Sequence, residues 1–517
     1  MDAFLNPPCA PGDAAIELAA PGTRHHALLT SNEPPDSSEI TFMQSVISKT
    51  DDRLAYLDDE ISRLENTLQR LKEERSSLCS YHMRNKAILS PLRRMPAEIL
   101  GEIFGWTLPS TQAELNRLRF DIADSPWVLT RVSGRWRAIS LSSPSLWSRL
   151  VVDYQTDDLS SSYPLSIAQA QIQHARNLKI HFYGSEKADS LPQIEMFQLL
   201  LQHSSRWEEL SLGLTSKIVP FLPALRNRLP SLRRLWVCWD APESQTEVES
   251  IDCFESASSL VDFGIHNEFS FIPTPPPAHQ LTRYHLDAPW EEHKRILELA
   301  HNLVEVDITA DFYDASSHWP DVDKTYDLPY LRRLYVSGPQ VLDYLRSPSL
   351  ETLTLRVHQS TTVDEILLSL QPFLDRSTCS LWRISFRGFP DAHKTPEILR
   401  KLSSITELGI VVDNQEASEG INLLMSSLTV SQVPGSTVVA PQLRRLFFAC
   451  EDETFIDYRI YLEMLKSRWR VKNCALDRAT LAIEDGPGPD SETLHSLEDS
   501  LSAGLGPFGG RGRRGPQ

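Results

Sequence analysis

Apolar side chains recur along this chain with two different periods, and the change between them divides it. From about Ile40 they step by three and four, through Ile47, Thr50, Leu54, Leu57, Ile61, Leu64, Leu68 and Leu71 and on past Arg75 to Leu78. A heptad seam of this kind draws one apolar line along a helix. Arg53, Asp58, Glu60, Glu65 and Lys72 flank it, and neither glycine nor proline interrupts between positions 39 and 90. Residues 39–87 are therefore expected to form a heptad helix, either one half of a coiled-coil homodimer or an amphipathic helix folded back on its own chain. A shorter helix is expected behind Pro96, where Ile99, Leu100, Ile103 and Phe104 recur on one helical face. That face is either core or a surface offered to another protein.

Beyond Leu150 the pattern becomes L-x-x-L-x-L, with other apolar residues allowed. It recurs at 207–212, 232–237 and 260–265, then from Leu281, Leu303, Leu331, Leu350, Leu381, Ile405 and Leu443, with outer copies at Ala175 and Leu476. The step is irregular, 22 residues from Leu281 to Leu303, 28 to Leu331 and 19 to Leu350. Helical segments precede several copies, at 193–203, 291–300, 363–374, 396–402 and 455–469. Helix followed by short strand, repeated, predicts an α/β solenoid of irregular leucine-rich-repeat-like units over 151–483, because each unit leaves an apolar flank that only its neighbour covers. Asp240, Asp311 and Asp413 stand where such repeats usually carry asparagine. Residues 1–38, with Pro7-Pro8, Pro11-Gly12, Pro21-Gly22 and Pro34-Pro35, and residues 484–517 have a composition that does not repay the entropy of ordering, so both termini are expected to be disordered.

Composition narrows the function classes. The 517 residues are 41% hydrophobic and 23% charged, a globular balance long enough for several domains. A net charge of −18 argues against a dedicated nucleic-acid binder, which needs a basic footprint. Cys9, Cys79, Cys238, Cys253, Cys379, Cys450 and Cys474 are odd in number and never form a CxxC pair, so neither a disulfide framework nor a zinc site is expected. No signal sequence or long apolar run is present. The expectation is a protein of cytoplasm or nucleus with reduced thiols, no membrane association and no cofactor.

Leu92-x-x-Met95-Pro96-x-Glu98-Ile99-Leu100-x-x-Ile103-Phe104, then Val132-x-x-Arg135-Trp136-Arg137 and Pro144-x-Leu146-Trp147, resembles the F-box of the F-box-like proteins of mushroom-type fungi. The match covers residues 88–150. A heptad helix in front and a degenerate repeat array behind extend the likeness in layout. Met95 stands where leucine is usual and Ser133 where cysteine is common, and the connection between the two halves is long. The resemblance implies an α-helical box that docks on a Skp-type adaptor, through Leu92, Pro96, Ile99, Leu100, Ile103, Phe104, Trp136 and Trp147. It further implies that the solenoid recruits a protein target to a cullin-based ubiquitin ligase, the chain itself performing no chemistry. The alternative is a non-catalytic scaffold whose box caps the solenoid and whose coil drives oligomerisation.

Candidate chemistry is sparse. Arg234-Leu235-Trp236, Arg333-Leu334-Tyr335 and Arg445-Leu446-Phe447 set an arginine and an aromatic on either side of an apolar residue. Strand alternation turns both toward the same open face, so Arg234, Trp236, Arg333, Tyr335, Arg445 and Phe447 are candidate target contacts. His174, His203 and His301 fit no metal-ligand spacing and are expected to serve carbonyls at helix ends. The GxGxxG match at 504–509 lacks the flanking strand and helix of a dinucleotide site, and the Gly-Arg run at 509–515 reads as a solvated tail. Acidic clusters at 311–314 and 451–453 suit loops and helix starts. Motifs for nucleophilic, metal or phosphate chemistry are absent from the sequence.

Overall fold

A computed structural model describes residues 19–108, 126–155, 164–310, 319, 322, 324–357, 363–388, 395–402, 404–412, 418–430, 438–452, 456–469 and 476–485. The chain forms two compact units, Met1–Pro96 and Ala97–Gln517. The expected 88–150 segment is thus divided at Pro96.

The first unit is helical. Thr23 accepts a hydrogen bond from the His26 N–H at 3.2 Å and starts helix α1 (Arg24–Thr30). Asp36 and Glu39 form a capping box at the head of the 52-residue helix α2 (Ser37–Ile88): the Glu39 N–H donates to Asp36 at 2.7 Å, and the Asp36 N–H donates to Glu39 at 2.8 Å. Arg24 ties the two helices together by pairing with Glu33 and, at 3.0 Å, with Glu39. The expected disordered leader is therefore corrected over 19–38, which holds a capped helix because local caps and one bridging guanidinium satisfy its ends. Residues 1–18 lie outside the described residues. No residue of α2 is buried, and Ile47, Leu54, Leu57, Ile61, Leu64, Leu68, Leu71 and Leu78 are all exposed.

The second unit opens with helix α3 (Ala97–Thr107), followed by short helices at Leu129–Val132 and Gly134–Leu141. A large parallel sheet follows. Its strands are β1 (Arg149–Asp153), β2 (Leu178–Tyr183), β3 (Trp207–Leu214), β4 (Arg234–Trp239), β5 (Asp262–Ile265), β6 (Arg283–Asp287), β7 (Glu305–Thr309), β9 (Arg333–Val336), β11 (Thr352–Val357), β12 (Arg383–Gly388), β13 (Glu407–Val412), β14 (Arg445–Asp452) and β15 (Arg478–Asp485). Two further strands, β8 (Tyr326–Asp327) and β10 (Leu345–Arg346), pair separately. The thirteen strands lie in strict chain order and all pairs are parallel, so the sheet is open, with β1 and β15 at its edges, and is not a closed barrel. Parallel neighbours require crossovers. Helices such as Leu165–His174, Ser190–Leu201, Trp290–Leu299, Val363–Ser377 and Tyr458–Trp469 supply many of them, and 3₁₀ turns such as Val219–Leu225 supply others.

Register explains the repeated pattern. One ladder runs Leu150, Ile180, Leu210, Leu235, Phe263, Tyr284, Val306, Leu334, Leu353, Ile384, Leu408, Leu446 and Ala479, one residue from each strand, and every member is buried. Two positions on, a second apolar ladder from Val152 to Phe448 is buried as well. Each member is worth roughly 1.5 to 3 kcal/mol of burial, repeated strand after strand. The opposite face carries the intervening polar positions. Strand β1 crosses the expected boundary at 150, because Arg149–Asp153 pairs with β2 and so belongs to the sheet.

The helix-end role expected of His174, His203 and His301 falls to arginine instead. Arg206 donates to the carbonyls of Arg176 at 2.9 Å and Ile172 at 3.0 Å, and also to Ala175. The fully buried Arg468 reaches Leu428, Ala440 and Val439 at 2.7, 3.1 and 2.6 Å. A guanidinium offers five donors on a long stem and so spans from one crossover to the one before it, which an imidazole cannot. His174 packs instead against Trp147 and Trp127, at ring distances of 5.0 and 6.3 Å.

Candidate functional site

The candidate residues lie on two surfaces, a helix face and a sheet face. On α3 the apolar stripe divides. Leu100 and Phe104, one turn apart, are fully buried, while Ile99 and Ile103, the next pair round the helix, are 50% and 38% exposed. Trp106, three residues beyond Ile103 on that same side, is 87% exposed. Sequence reasoning passed over Trp106, although its spacing from Ile99 and Ile103 is helical.

Behind α3, Phe104 meets the half-buried Trp136 at a ring distance of 4.6 Å. Ser133 accepts from the Trp136 N–H at 3.2 Å and caps the helix Gly134–Leu141. Arg137 donates to the Thr130 carbonyl at 2.9 Å. Trp147 is fully buried, donates from its indole to Ser140 at 2.7 Å and packs edge-on against Trp127 at 4.7 Å. Leu100, Phe104 and Trp147 are therefore corrected from contact residues to core: their surface is already spent inside the chain. Leu92 and Pro96, in the first unit, are exposed.

The open face of the sheet begins with a charged ladder. Along one register line stand Arg149, Lys179, Glu209, Arg234, Asp262, Arg283, Glu305, Arg333, Thr352, Arg383, Glu407, Arg445 and Arg478. Carboxylates sit between cations. Glu209 pairs with Lys179 at 2.5 Å and with Arg234; Glu305 pairs with Arg283 at 3.4 Å and Arg333 at 2.7 Å; Glu407 pairs with Arg383 at 3.9 Å and Arg445 at 2.5 Å. Burial works to raise the Glu209 carboxyl, but Lys179 and Arg234 outweigh it and hold it below the ordinary range. Arg234, Arg333 and Arg445 do face outward as expected, yet each already has a carboxylate partner one strand away. The ladder was invisible along the chain, since its partners are 21 or more residues apart.

Two residues on, the same face carries His181, Ser211, Trp236, Gly264, His285, Asp307, Tyr335, Gly409 and Phe447 in neighbouring strands. Trp236 and Tyr335 are partly exposed, and Phe447 is 37% exposed. Trp236 lies across Gly264: a Cβ there would collide with its indole, which reaches His285 at a ring distance of 4.9 Å. One strand pair earlier, Tyr183 lies close over Gly213, with Cδ1 3.2 Å from where a Cβ would stand. Glycine at 213 and 264 thus clears room for the rings.

Around these rings is a depression of about 780 Å³ lined by Asp153, His181, Tyr183, Glu209, Ser211, Arg234, Trp236, Cys238, Asp262 and Glu268, among others. His181 is 5% exposed, and neither of its ring nitrogens has a hydrogen-bond partner. Burial, then the Arg149 guanidinium, pushes it down to about 4, so the ring is neutral. Burial, with Asp240 behind it, raises the Asp153 carboxyl, and burial with Asp240 and Glu268 pushes the Cys238 thiol up to about 11. Asp240, the expected asparagine position, accepts from Gln155 at 3.1 Å and from the Glu186 N–H at 2.7 Å, tying strand ends together.

Among the described residues no cluster of His, Cys, Asp and Glu could hold a metal ion, and no helix is long and apolar enough to cross a membrane. Cys79, Cys238, Cys253, Cys379 and Cys450 are free thiols. Cys9, Cys474, Asp311, Asp413, the acidic cluster at 311–314, the GxGxxG match and the Gly-Arg run lie outside the described residues. Compared with known protein families and with curated proteins, the chain matches none.

Proposed function

We propose that the chain is an F-box-like substrate receptor, in which the segment 88–150 docks on a Skp-type adaptor of a cullin-based ubiquitin ligase and the sheet behind it, read as an irregular leucine-rich-repeat-like solenoid, recruits a protein target. The observation that carries the reading is the division of α3. Leu100 and Phe104 hold the helix to its own core, while Ile99, Ile103 and Trp106 leave an apolar strip facing solvent. A core helix would bury that strip, and a purely structural cap for the sheet would gain nothing from exposing it. Burying such side chains at the centre of an interface is worth roughly 1.5 to 3 kcal/mol each. The chain would contribute proximity between target and ligase and no bond chemistry.

The test is co-purification with a Skp-type adaptor. The wild-type chain is expected to retain adaptor, and Ile99→Asp with Ile103→Asp to lose it while keeping an unchanged circular dichroism spectrum. Equal retention by both, or by neither, removes the receptor reading. The scaffold alternative has the open α2 seam in its favour, and self-association through that helix is compatible with either role.

A further inference from the structure

We infer that helix α2 pairs with the α2 of a second copy of this chain running in the opposite direction, so that Leu54, Leu57 and Ile61 of one copy meet Leu71, Leu68 and Leu64 of the other. The inference concerns self-assembly and stands apart from the receptor reading. It fixes the partner, direction and register of the exposed seam.

The seam itself is the first ground. Its apolar members from Ile47 to Leu78 are exposed along one continuous helix, and a line of that spacing is what a second helix covers. Two polar residues interrupt it, Thr50 and Arg75. In a parallel pair in register each interruption meets itself, which sets two Arg75 guanidinium groups together inside the seam. In a reversed pair, turned about the point between Ser62 and Arg63, Thr50 stands opposite Arg75 instead. The short threonine leaves space for the arginine stem, and Asp51 beside it receives the guanidinium at the edge of the seam. Every other layer between 47 and 78 then sets apolar against apolar, Ile47 with Leu78 at the two ends.

The flanks of the seam are the second, because charges there set partner and orientation. A parallel pair brings the two unlike flanks together. That matches Arg53 with Asp58, but it sets Glu60 against Glu65 and leaves Lys72 facing Thr67 and Glu74 facing Cys79. A reversed pair brings each flank against its own kind. Arg53 then faces Glu74, and Lys72 falls between Asp51 and Asp58. Val46 and the exposed Tyr81, apolar residues beside the seam, also meet, where a parallel pair would set them against Asp51 and Lys86. Like charges approach only near the midpoint, at Asp58 and Glu65. A twofold axis repeats every one of these contacts, so each match counts twice. Charge therefore selects the reversed copy.

The experiment uses the full chain, with sedimentation for the dimer and disulfide trapping for its direction. In a Cys79→Ser background, which removes the exposed thiol of α2, Leu54→Cys and Leu71→Cys chains carrying different tags are oxidised separately and mixed. The mixture is expected to give a cross-linked dimer bearing both tags, and neither chain alone to cross-link through the new thiol. Arg53→Glu and Glu74→Arg, which leave the seam leucines in place, are each expected to weaken the dimer by about tenfold. Mixed in equal amounts they should recover it as a heterodimer, since each reversed charge then meets its opposite. In a parallel pair Glu74→Arg would change little and the mixture would recover nothing. A wild-type monomer overturns the inference, as does cross-linking of Leu54→Cys with itself, or a charge-reversed mixture no tighter than its components. No arm contains adaptor, so failure here leaves the receptor reading standing, and lost adaptor binding leaves the reversed pair standing.

Discussion

His181 and His293 show how single side chains on this sheet couple to solution conditions. Burial, chiefly, pushes both imidazoles down to about 4, from an ordinary 6.5. His293, on the helix Trp290–Leu299, lies 3.3 Å from the Thr309 carbonyl and among Tyr284 and Trp290. In the unfolded chain each imidazole takes a proton near 6.5; in the fold it does not until about pH 4. The stability that neutrality supports is therefore complete above about pH 6.5 and lost as pH falls toward 4. Between pH 7.5 and pH 5 each histidine should cost about 2 kcal/mol. Urea unfolding across that range should show the fall, and His293→Gln should flatten it by about one histidine's share. An unchanged slope in the variant would mean that His293 is solvated.

At the scale of the element, α3 and α2 present opposite cases. The two sides of α3 differ in what truncation should do: Leu100→Ala should cost about 2 to 5 kcal/mol, because it opens a cavity, and Ile103→Ala should stay within about 0.5 kcal/mol. Chemical denaturation of both variants checks this, and similar losses would place Ile103 in the core. Helix α2 leaves its entire seam open over 52 residues, which a lone helix in water has no reason to maintain. We expect the full chain to sediment as a dimer at micromolar concentration and a Leu57→Asp, Leu64→Asp variant as a monomer. A wild-type monomer would leave the seam for a different partner.

For the molecule as a whole, the sheet's sequential order sets how stability is shared. Each strand hydrogen-bonds only strands next to it in the sheet's chain order, so interactions add along the array rather than closing on a common centre. Removing residues 438–517, which takes away β14 and β15, should uncover β13 yet leave the contacts of β1 to β12 in place. Such a chain is expected to keep a cooperative thermal transition at a lower midpoint, followed by circular dichroism. Complete loss of the transition would show that the last strands hold the whole sheet. The first unit is a separate matter, since its helices are capped within 19–96.

Much of this was legible in the residues alone, for a reason that is local. Heptad spacing specified α2, and the L-x-x-L-x-L copies from Ala175 to Leu476 fall on strands β2 to β15 of the main sheet, because a side chain's face follows from its own position in a helix or strand. The strand β1 fell outside the expected repeat range, because Trp147, Leu150 and Val152 keep the repeat spacing but Trp147 was taken into the box pattern, and pairing with β2 assigns the segment to the sheet. What tertiary structure alone decided concerns partners distant in the chain. Which half of the α3 stripe is buried depended on where Trp136 and its neighbours came to rest. That Arg234 belongs to Glu209, and that Asp153, His181, Trp236 and Glu268 share one depression, depended on the register of parallel strands joined by irregular crossovers. A period along the chain tells which way a side chain points; only the packed sheet tells what it points beside.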